Sequence, residues 1–342
     1  MAATSRELVY QALKFESPAR VPRDLWLLPW ASNHYPRQVE EIQCLFPSDF
    51  VIPPAPYRPS SDRQGDPYVV GSYIDEWGCT FSNVQAGVHG EVRHPLVKEL
   101  ADWRLVQPPY ETLPSDWESA REQVNRFCAQ TDQFTYWGAC PRPWERYQFI
   151  RGSFNTYKDI YRREAGFTSL LGLIQDYYLK ELEFWCSTDV DAVNFMDDWG
   201  AQHRMLISPQ VWREVFKPLY HEYCEMAHAH GKFIFMHSDG YILDIIPDLV
   251  EIGVDALNSQ LFCMDMRQVA ERGRGRITFW GEIDRQHVLP ESPEKARAAV
   301  RQVAQHLYDP RGGVIAQLEF GPGGNPQAVL AAYDEWNQVS ER

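Results

Sequence analysis

A histidine and an aspartate two residues apart follow an apolar, strand-like segment of the sequence. His237 and Asp239 are separated by Ser238, and residues i and i+2 of a strand project to the same face. An imidazole and a carboxylate on one face can bind a divalent metal ion such as Zn²⁺ if a neighbouring strand supplies a third ligand. The same pair is also typical of a simple internal hydrogen bond, so both interpretations remain open.

Polar and aromatic side chains also follow most other strand-like segments. Catalytic groups of α/β barrels come from the C-terminal ends of the strands, and a carboxylate buried there costs several kcal/mol unless it is paired or binds a metal. We therefore expect these residues to form one site. They are Asp24 after the first segment, Arg142 and Arg146 after the third, Asp198 and Trp199 after the fourth, Asn258 and Gln260 after the sixth, Glu282 after the seventh, and Gln317 and Glu319 at the end of the eighth.

Short apolar segments alternate with helical segments along the chain, which is typical of an α/β fold. Strands are predicted at residues 21–26, 49–52, 134–139, 192–196, 232–236, 255–258, 277–280 and 314–318, and helices at 5–15, 170–186, 208–230, 242–252, 266–272 and 293–307. Eight strands alternating with helices predict a (β/α)8 TIM barrel. A doubly wound sheet is the alternative, but no glycine-rich phosphate-binding motif follows an early strand.

Residues 53–100 do not follow this alternation. They are rich in Pro, Gly, Tyr and Asp and show little helical periodicity. We interpret residues 68–97 as irregular or hairpin-bearing, and we expect 53–100 to form an insertion or lid near the C-terminal face of the barrel. No linker or low-complexity segment divides the chain, so residues 1–342 are predicted to form a single domain.

The composition argues against several classes of function. With 33 Lys and Arg against 47 Asp and Glu, the formal net charge is −14, which disfavours binding to nucleic acids and to anionic membranes. No apolar run approaches the ~18–20 residues that span a bilayer, and the N-terminal segment lacks the apolar core of a signal peptide. The seven cysteines are scattered and contain no CxxC pair, so we expect a cytoplasmic location.

Four segments resemble the uroporphyrinogen decarboxylase superfamily. They are residues 197–200 (DDWG), 206–218 (LISPQVWREVFKP), 231–240 (GKFIFMHSDG) and 246–258 (IPDLVEIGVDALN). The resemblance is clearest from residue 130 onwards and implies a (β/α)8 barrel. The superfamily contains true uroporphyrinogen decarboxylases and a branch of zinc-dependent methyltransferases and demethylases that use methylcobalamin or a corrinoid carrier protein.

Two motifs distinguish these branches. The decarboxylases carry Arg-Gln-Ala-Gly-Arg after the first strand, where this chain has RDLW at residues 23–26. The methyltransferases bind zinc with His-x-Cys after the fifth strand and a Cys after the eighth, and this chain has His237, Asp239 and Glu319 there. The resemblance thus implies a metal site of these three residues, suited to Zn²⁺ and also to Mn²⁺ or Fe²⁺. Because the chain has no corrinoid-binding Asp-x-His-x-x-Gly motif, a corrinoid would be carried by a partner protein.

We therefore predict a metal-dependent methyltransferase or demethylase that moves a methyl group between a small organic substrate and a corrinoid or thiol acceptor. The candidate catalytic residues are Asp198, Glu282 and Asp24. Arg142 and Arg146 are expected to hold an anionic substrate group in bidentate fashion. The other substrate-binding candidates are Asn258, Gln260, Trp199 and Gln317. A decarboxylase of a carboxylated substrate and a non-catalytic ligand-binding barrel are the alternatives, and a homodimer is left open.

Overall fold

The central feature of the fold is a curled parallel sheet. The computed structural model describes residues 3–136 and 140–340. The strands in these ranges are β1 (Arg23–Leu27), β2 (Phe50–Val51), β3 (Gly71–Ile74), β4 (Thr80–Asn83), β5 (Glu91–His94), β6 (Phe134–Thr135), β7 (Ala192–Met196), β8 (Phe233–Ser238), β9 (Ala256–Ser259), β10 (Thr278–Trp280) and β11 (Val314–Phe320). Six of them form one sheet in the order β1-β11-β10-β9-β8-β7, in which all pairs are parallel.

The register of this sheet places site residues side by side. His237 of β8 lies opposite Met196 of β7 on one side and opposite Asn258 of β9 on the other. Trp26 of β1 lies opposite Glu319 of β11, which joins the N-terminal and C-terminal parts of the chain. Because parallel strands end at the same edge, the residues after β7 and β8 must meet there.

A second parallel sheet consists of β2 and β6. The Asp49 N–H donates to the Arg23 carbonyl of β1 (2.9 Å), and the Asp191 N–H, just before β7, donates to the Thr135 carbonyl of β6 (2.8 Å). The short sheet is therefore hydrogen-bonded at both of its edges to the six-stranded sheet. The strand predicted at 134–139 is observed as β6, and its residues 137–139 lie outside the described residues.

Helices cover the connections between the strands. They are α1 (Ser5–Lys14), α2 (Pro29–His34), α3 (Pro36–Leu45), α4 (Trp117–Ala129), α5 (Pro143–Arg151), α6 (Ser153–Arg162), α7 (Ala165–Cys186), α8 (Pro209–Val215), α9 (Lys217–Ala229), α10 (Ile246–Ile252), α11 (Met266–Gly273), α12 (Pro293–Leu307) and α13 (Pro326–Ser340). The helix predicted at 208–230 is observed as α8 and α9. Pro218, in the first turn of α9, has no N–H to continue a helix, which explains the break.

The strands β3, β4 and β5 form a separate antiparallel sheet within residues 53–100. Asp75 shapes its first turn, because its Oδ1 accepts the N–H groups of Trp77 (3.0 Å) and Cys79 (2.8 Å). The other oxygen of Asp75 forms a buried ion pair with Arg146 of α5. The segment interpreted as hairpin-bearing is thus a three-stranded sheet that is fixed to a helix of the larger unit.

Aromatic side chains fill the space enclosed by the two parallel sheets. Phe50, Phe134, Tyr136, Phe235 and Trp280 form a buried cluster that includes strands of both sheets. The Phe134 and Phe235 rings stack at 5.9 Å, and the Trp280 ring meets Phe235 edge-on at 5.1 Å. Such rings bury large apolar areas, so this cluster stabilises the curled arrangement of strands. None of the helices in the described ranges has the length and apolar character needed to cross a membrane.

Candidate functional site

The loops after β7 and β8 bring three potential metal ligands together. Asp198, His237 and Asp239, hereafter the carboxylate–histidine group, each offer one ligand atom, and these atoms lie within 4.8 Å of one another. The His237 Nε2 atom is 3.6 Å from Asp198 Oδ1 and 3.6 Å from Asp239 Oδ1. The imidazole therefore faces both carboxylates at distances too long for hydrogen bonds.

Two glycines allow these loops to come into backbone contact. A Cβ atom at Gly240, whose φ is +76°, would lie 2.2 Å from the Gly200 carbonyl oxygen, and a Cβ atom at Gly200 would lie 2.1 Å from the Tyr241 nitrogen. A side chain at either position would push the loops apart. The Gly200 N–H donates to the Asp239 carbonyl (3.0 Å), and the Asp239 N–H donates to Asp198 Oδ1 (2.8 Å). The glycines of the DDWG and HSDG segments thus bring the two carboxylates together.

Neighbouring amides fix the orientation of the His237 imidazole. Asn258 Oδ1 lies 2.6 Å from His237 Nδ1. The Asn258 Nδ2 group donates to the Trp280 carbonyl (2.5 Å) and to Gln317 Oε1 (3.1 Å), so its oxygen is the atom that faces the histidine. Nδ1 must then carry a proton, and Nε2 is the atom turned towards the carboxylates. Metal-binding histidines are commonly oriented by a hydrogen bond of this kind.

Arg285 connects one ligand of this group with two further carboxylates. Its guanidinium lies 2.5 Å from Asp239 Oδ2, 3.1 Å from Glu282 Oε2 and 3.3 Å from Glu319 Oε2. Asp239 Oδ1 is buried and has no hydrogen-bond partner within the described residues. The structure therefore places Glu319, the third ligand implied by the resemblance, against Arg285. The second carboxylate beside His237 is that of Asp198, a residue that the sequence predicted to be catalytic.

Burial and mutual repulsion raise the pKa values of the carboxyl groups here. Burial raises the pKa of Asp198, and the Asp239 carboxylate raises it further. Burial also raises the pKa of Glu319 and raises that of Glu282 well above its usual range. Burial lowers the pKa of His237, but the carboxylates of Asp239 and Asp198 outweigh this effect, so the pKa is raised. The cluster therefore favours an additional positive charge.

The donor atoms of the carboxylate–histidine group fit a divalent metal ion. One neutral imidazole nitrogen and two carboxylate oxygens balance two positive charges and suit Zn²⁺, Mn²⁺ or Fe²⁺. Ligands about 2.1 Å from a tetrahedral ion lie about 3.4 Å apart, close to the observed separations of 3.6 Å. The unpartnered Oδ1 of Asp239 is the atom that such an ion would satisfy. Three protein ligands leave coordination positions open, as in catalytic zinc sites.

A cavity of ≈ 720 Å³ lies between the three-stranded sheet and helices α5 and α7. This volume is within the range of small-molecule binding sites. Aromatic and acidic residues dominate its lining, together with Cys140, Arg142 and Arg146. The aromatic residues are Tyr73, Trp77, Phe81, Phe149, Tyr177 and Tyr178, and the acidic residues are Asp75, Glu76, Glu91, Glu145 and Glu181.

Arg142 and Arg146, which were predicted to hold an anionic group, have different surroundings in the structure. Arg146 is buried, forms an ion pair with Asp75 and lies between Trp77 and Phe149, whose ring centroids are 5.0 and 5.4 Å from its guanidinium carbon. It fixes the three-stranded sheet to α5, and its guanidinium is already engaged by Asp75. Arg142 keeps 30% of its side chain exposed at the cavity and can reach a ligand.

Glu145 lies between the cavity and the carboxylate–histidine group, and no sequence pattern predicted a role for it. Its N–H and that of Trp144, at the start of α5, donate to the Asp197 carboxylate (2.8 and 2.9 Å). Burial raises the pKa of Glu145 to about 7, and repulsion from Asp198 contributes. Its Oε2 atom is buried without a hydrogen-bond partner among the described residues. The available sequence signal was its position six residues after the strand predicted at 134–139.

Several predicted substrate-binding residues are internal instead. Trp199 is fully buried, stacks on Trp144 at 4.8 Å and donates its Nε1–H to the Tyr220 hydroxyl (3.0 Å). Asn258 and Gln317 are also fully buried and bind each other. None of these three residues lines the cavity, because Trp199 packs among helices α5, α8 and α9, whereas Asn258 and Gln317 bind each other between the strands.

Gln260 and Asp24 also have internal partners. Gln260 Oε1 accepts the Gly240 N–H (3.0 Å), which supports the loop after β8. Asp24 is 3% exposed, and its Oδ2 accepts the indole N–H groups of Trp26 (3.0 Å) and Trp280 (2.9 Å). The Trp26 ring lies 5.5 Å from the His237 ring, so this indole lies between Asp24 and the histidine.

Sequence comparison assigns the family. Residues 73–333 match the model of the family described as Uroporphyrinogen decarboxylase (URO-D). The match covers more than half of the chain, and the chain therefore belongs to the uroporphyrinogen decarboxylase family, which confirms the resemblance of the four segments. No curated protein matches the chain.

A solved structure of low sequence identity has the same fold. A methyltransferase from Methanosarcina mazei superposes with a TM-score of 0.66 at 15% identity, over 98% of this chain and 99% of that chain. This likeness establishes a shared fold. A 3-keto-D-glucoside 4-epimerase from E. coli matches over 66% of this chain and 86% of its own at 14% identity, with a TM-score of 0.38.

Proposed function

We propose that this protein is a metal-dependent methyltransferase or demethylase that moves a methyl group between a small organic substrate and a corrinoid or thiol acceptor. The observation that carries the proposal is the carboxylate–histidine group, in which Asp239 Oδ1 is buried without a hydrogen-bond partner among the described residues. Zn²⁺ is the proposed ion. The shared fold with a methyltransferase and the family membership support this chemistry.

A bound metal would act as a Lewis acid on a methyl-bearing oxygen or hold a thiol or hydroxyl acceptor. The residues of the chain orient this site. Asn258 keeps the proton of His237 on Nδ1, and Arg285 holds Asp239 Oδ2 so that Oδ1 faces the histidine. Because the pKa of Glu145 is about 7, its Oε2 can hold or release a proton beside the cavity at neutral pH.

The proposal includes a complete eight-stranded barrel in one domain, in which β2 and β6 join the six-stranded sheet. Residues 53–100 would act as a lid, and support comes from the Asp75–Arg146 ion pair and from the lining of the cavity by β3 and β4. A corrinoid would be carried by a partner protein. The seven cysteines are free thiols, in keeping with the proposed cytoplasmic location.

A decarboxylase acting on a carboxylated substrate is the second candidate, and the family description favours it. Its substrate would need several fixed cations near the bond that breaks. The cavity instead has five acidic residues, and one of its two arginines is neutralised by Asp75. We therefore expect no formation of coproporphyrinogen from uroporphyrinogen at rates typical of enzymes, roughly 1 s⁻¹ or more.

A methyl-transfer assay tests the main proposal. Zn²⁺-loaded protein is incubated with methylcobalamin and a thiol acceptor, and loss of the methyl group is followed by absorbance. His237→Ala is expected to lower the rate at least about 100-fold, since it removes a metal ligand. His221→Ala, on the exposed face of α9, is the matched control and should keep the wild-type rate. Equal rates for the wild type and His237→Ala would contradict the proposed role of the metal group.

A further inference from the structure

The large cavity carries a surplus of acidic groups. Five carboxyl groups line it, against the guanidinium groups of Arg142 and Arg146. Arg146 is paired with Asp75, and Arg142 lies 4.0 Å from Glu145. Glu76 lies 3.8 Å from Arg146, whose guanidinium Asp75 already binds, and Glu181 forms no ion pair with the described residues; both are partly buried at the cavity wall. The cavity would therefore be balanced by a ligand with a positive charge.

Glu181 of α7 is the most enclosed of the acids that have no partner arginine. Its Oε1 accepts the Tyr57 hydroxyl (2.9 Å), and it forms no ion pair with the described residues. Burial raises the pKa of Glu181 to about 7. The hydrogen bond from the Tyr57 hydroxyl lowers this pKa, whereas the charge of Glu76 raises it. A cation bound beside Glu181 would stabilise the ionised carboxylate.

Aromatic rings surround these carboxyl groups, and their hydroxyl groups are already engaged. The Tyr177 hydroxyl lies 3.2 Å from Thr112 Oγ1, and the Tyr178 hydroxyl accepts a 3.5 Å contact from Arg146 Nε. A ligand beside Tyr177 and Tyr178 would therefore contact their rings and not their hydroxyl groups. The Arg146 guanidinium, 5.0 Å from the Trp77 ring centroid, shows that the wall already stabilises one organic cation.

We infer that this cavity binds a methylated organic ammonium cation. Such a cation spreads its charge over methyl groups that pack against ring faces, and a fully methylated nitrogen requires no hydrogen-bond acceptor. An anion would add to the existing negative charge, and a neutral apolar ligand would leave the carboxylates without a counter-charge. The choice of a methylated cation rests on the proposed methyl transfer, whereas the positive charge follows from the cavity alone.

Isothermal titration calorimetry of the full-length protein, stripped of metal with a chelator, tests this inference. Choline, its neutral isostere 3,3-dimethylbutan-1-ol and the anion benzoate are the probes. Choline is expected to bind at least about tenfold more tightly than the isostere, and benzoate more weakly than either. Glu181→Gln should lower the choline affinity about tenfold, while Glu183→Gln, on the exposed side of the same helix, should leave it unchanged.

Thermal unfolding shows whether Glu181→Gln folds. If it does not, Glu76→Gln is the second variant, and it too should weaken choline binding. Tighter binding of benzoate than of choline, equal binding of choline and the isostere, or no binding of choline would each overturn the inference. Because the assay contains no metal, its result is independent of the metal proposal. A protein that binds choline but takes up no metal would refute the proposed function and leave this site established.

Discussion

Asp24 offers a quantitative test of how the interior of the fold is built. This carboxyl group is buried in the space between the strands, and its Oδ2 accepts N–H groups from Trp26 and Trp280 and the Tyr136 hydroxyl (3.3 Å). Its other oxygen lies 3.5 Å from the Ser48 hydroxyl. All of these partners are neutral, and burial raises the pKa of Asp24 from 3.8 to about 6.

The sign of the effect follows from proton linkage. Between the unfolded pKa of 3.8 and the folded pKa of about 6, the folded state binds more protons than the unfolded state, so the stability of the wild type falls as the pH rises through this window. The difference of about 2 pKa units corresponds to about 3 kcal/mol, and this stabilisation is lost as the pH rises through the folded pKa of about 6. Asp24→Asn keeps the shape and the acceptor oxygen but cannot ionise.

We therefore expect Asp24→Asn to be more stable than the wild type at neutral pH. From the same pKa values, the gain in unfolding free energy should be about 1.6 kcal/mol at pH 5 and about 3 kcal/mol at pH 7.5. Urea unfolding followed by circular dichroism at both pH values measures it. Comparison with the wild type cancels the titration of the other buried acids.

Asp24→Ala is the control, and it should be destabilised at both pH values because the Trp280 N–H loses its acceptor. A pH-independent difference between Asp24→Asn and the wild type, or a loss of stability in Asp24→Asn at pH 7.5, would refute this account of the buried carboxylate.

Three further changes test the positioning of the site. Gly240→Ala should lower the Zn²⁺ affinity at least about tenfold in a calorimetric titration, because its Cβ would separate the loops after β7 and β8. Asn258→Ala should lower it about 10- to 100-fold in the same titration, since His237 loses its orienting acceptor, and an unchanged affinity would contradict that role. Arg146→Met should cost about 3–5 kcal/mol of unfolding free energy in urea, because Asp75 would be buried without its cation, and a cost below about 1 kcal/mol would show that the pair is not essential.

The sequence predicted the parallel strands well because each is short, apolar and bounded by helical segments. The strand predicted at 192–196 and the helix predicted at 293–307 coincide with β7 and α12. Helices α2 to α6 were not predicted. Helix α5 has six buried residues among nine, including Arg146 and Arg151, so it shows no simple apolar face that a periodicity argument could recognise.

The sequence predicted only part of the site. Spacing along one strand indicates which residues share a face, whereas a contact between residues that are distant in the chain leaves no local pattern. His237 and Asp239 share a face by the strand period and do lie together, 3.6 Å apart. That Asp198 joins them depends on the contact between Gly200 and Gly240, which only the folded loops reveal. The pairing of Arg285 with Asp239 joins residues 46 positions apart in the chain, beyond the reach of any local pattern.

The metal content of the protein tests the central claim most directly. Chelator-stripped protein is dialysed against micromolar Zn²⁺, Mn²⁺, Fe²⁺ or Co²⁺, and bound metal is measured by elemental analysis. The account predicts one Zn²⁺ ion per chain, lost in His237→Ala and at least about tenfold weaker in Asp198→Asn and Asp239→Asn. Glu319→Gln should retain the ion, because that carboxylate binds Arg285. A wild-type protein that takes up none of these ions, or uptake that persists in His237→Ala, would contradict it.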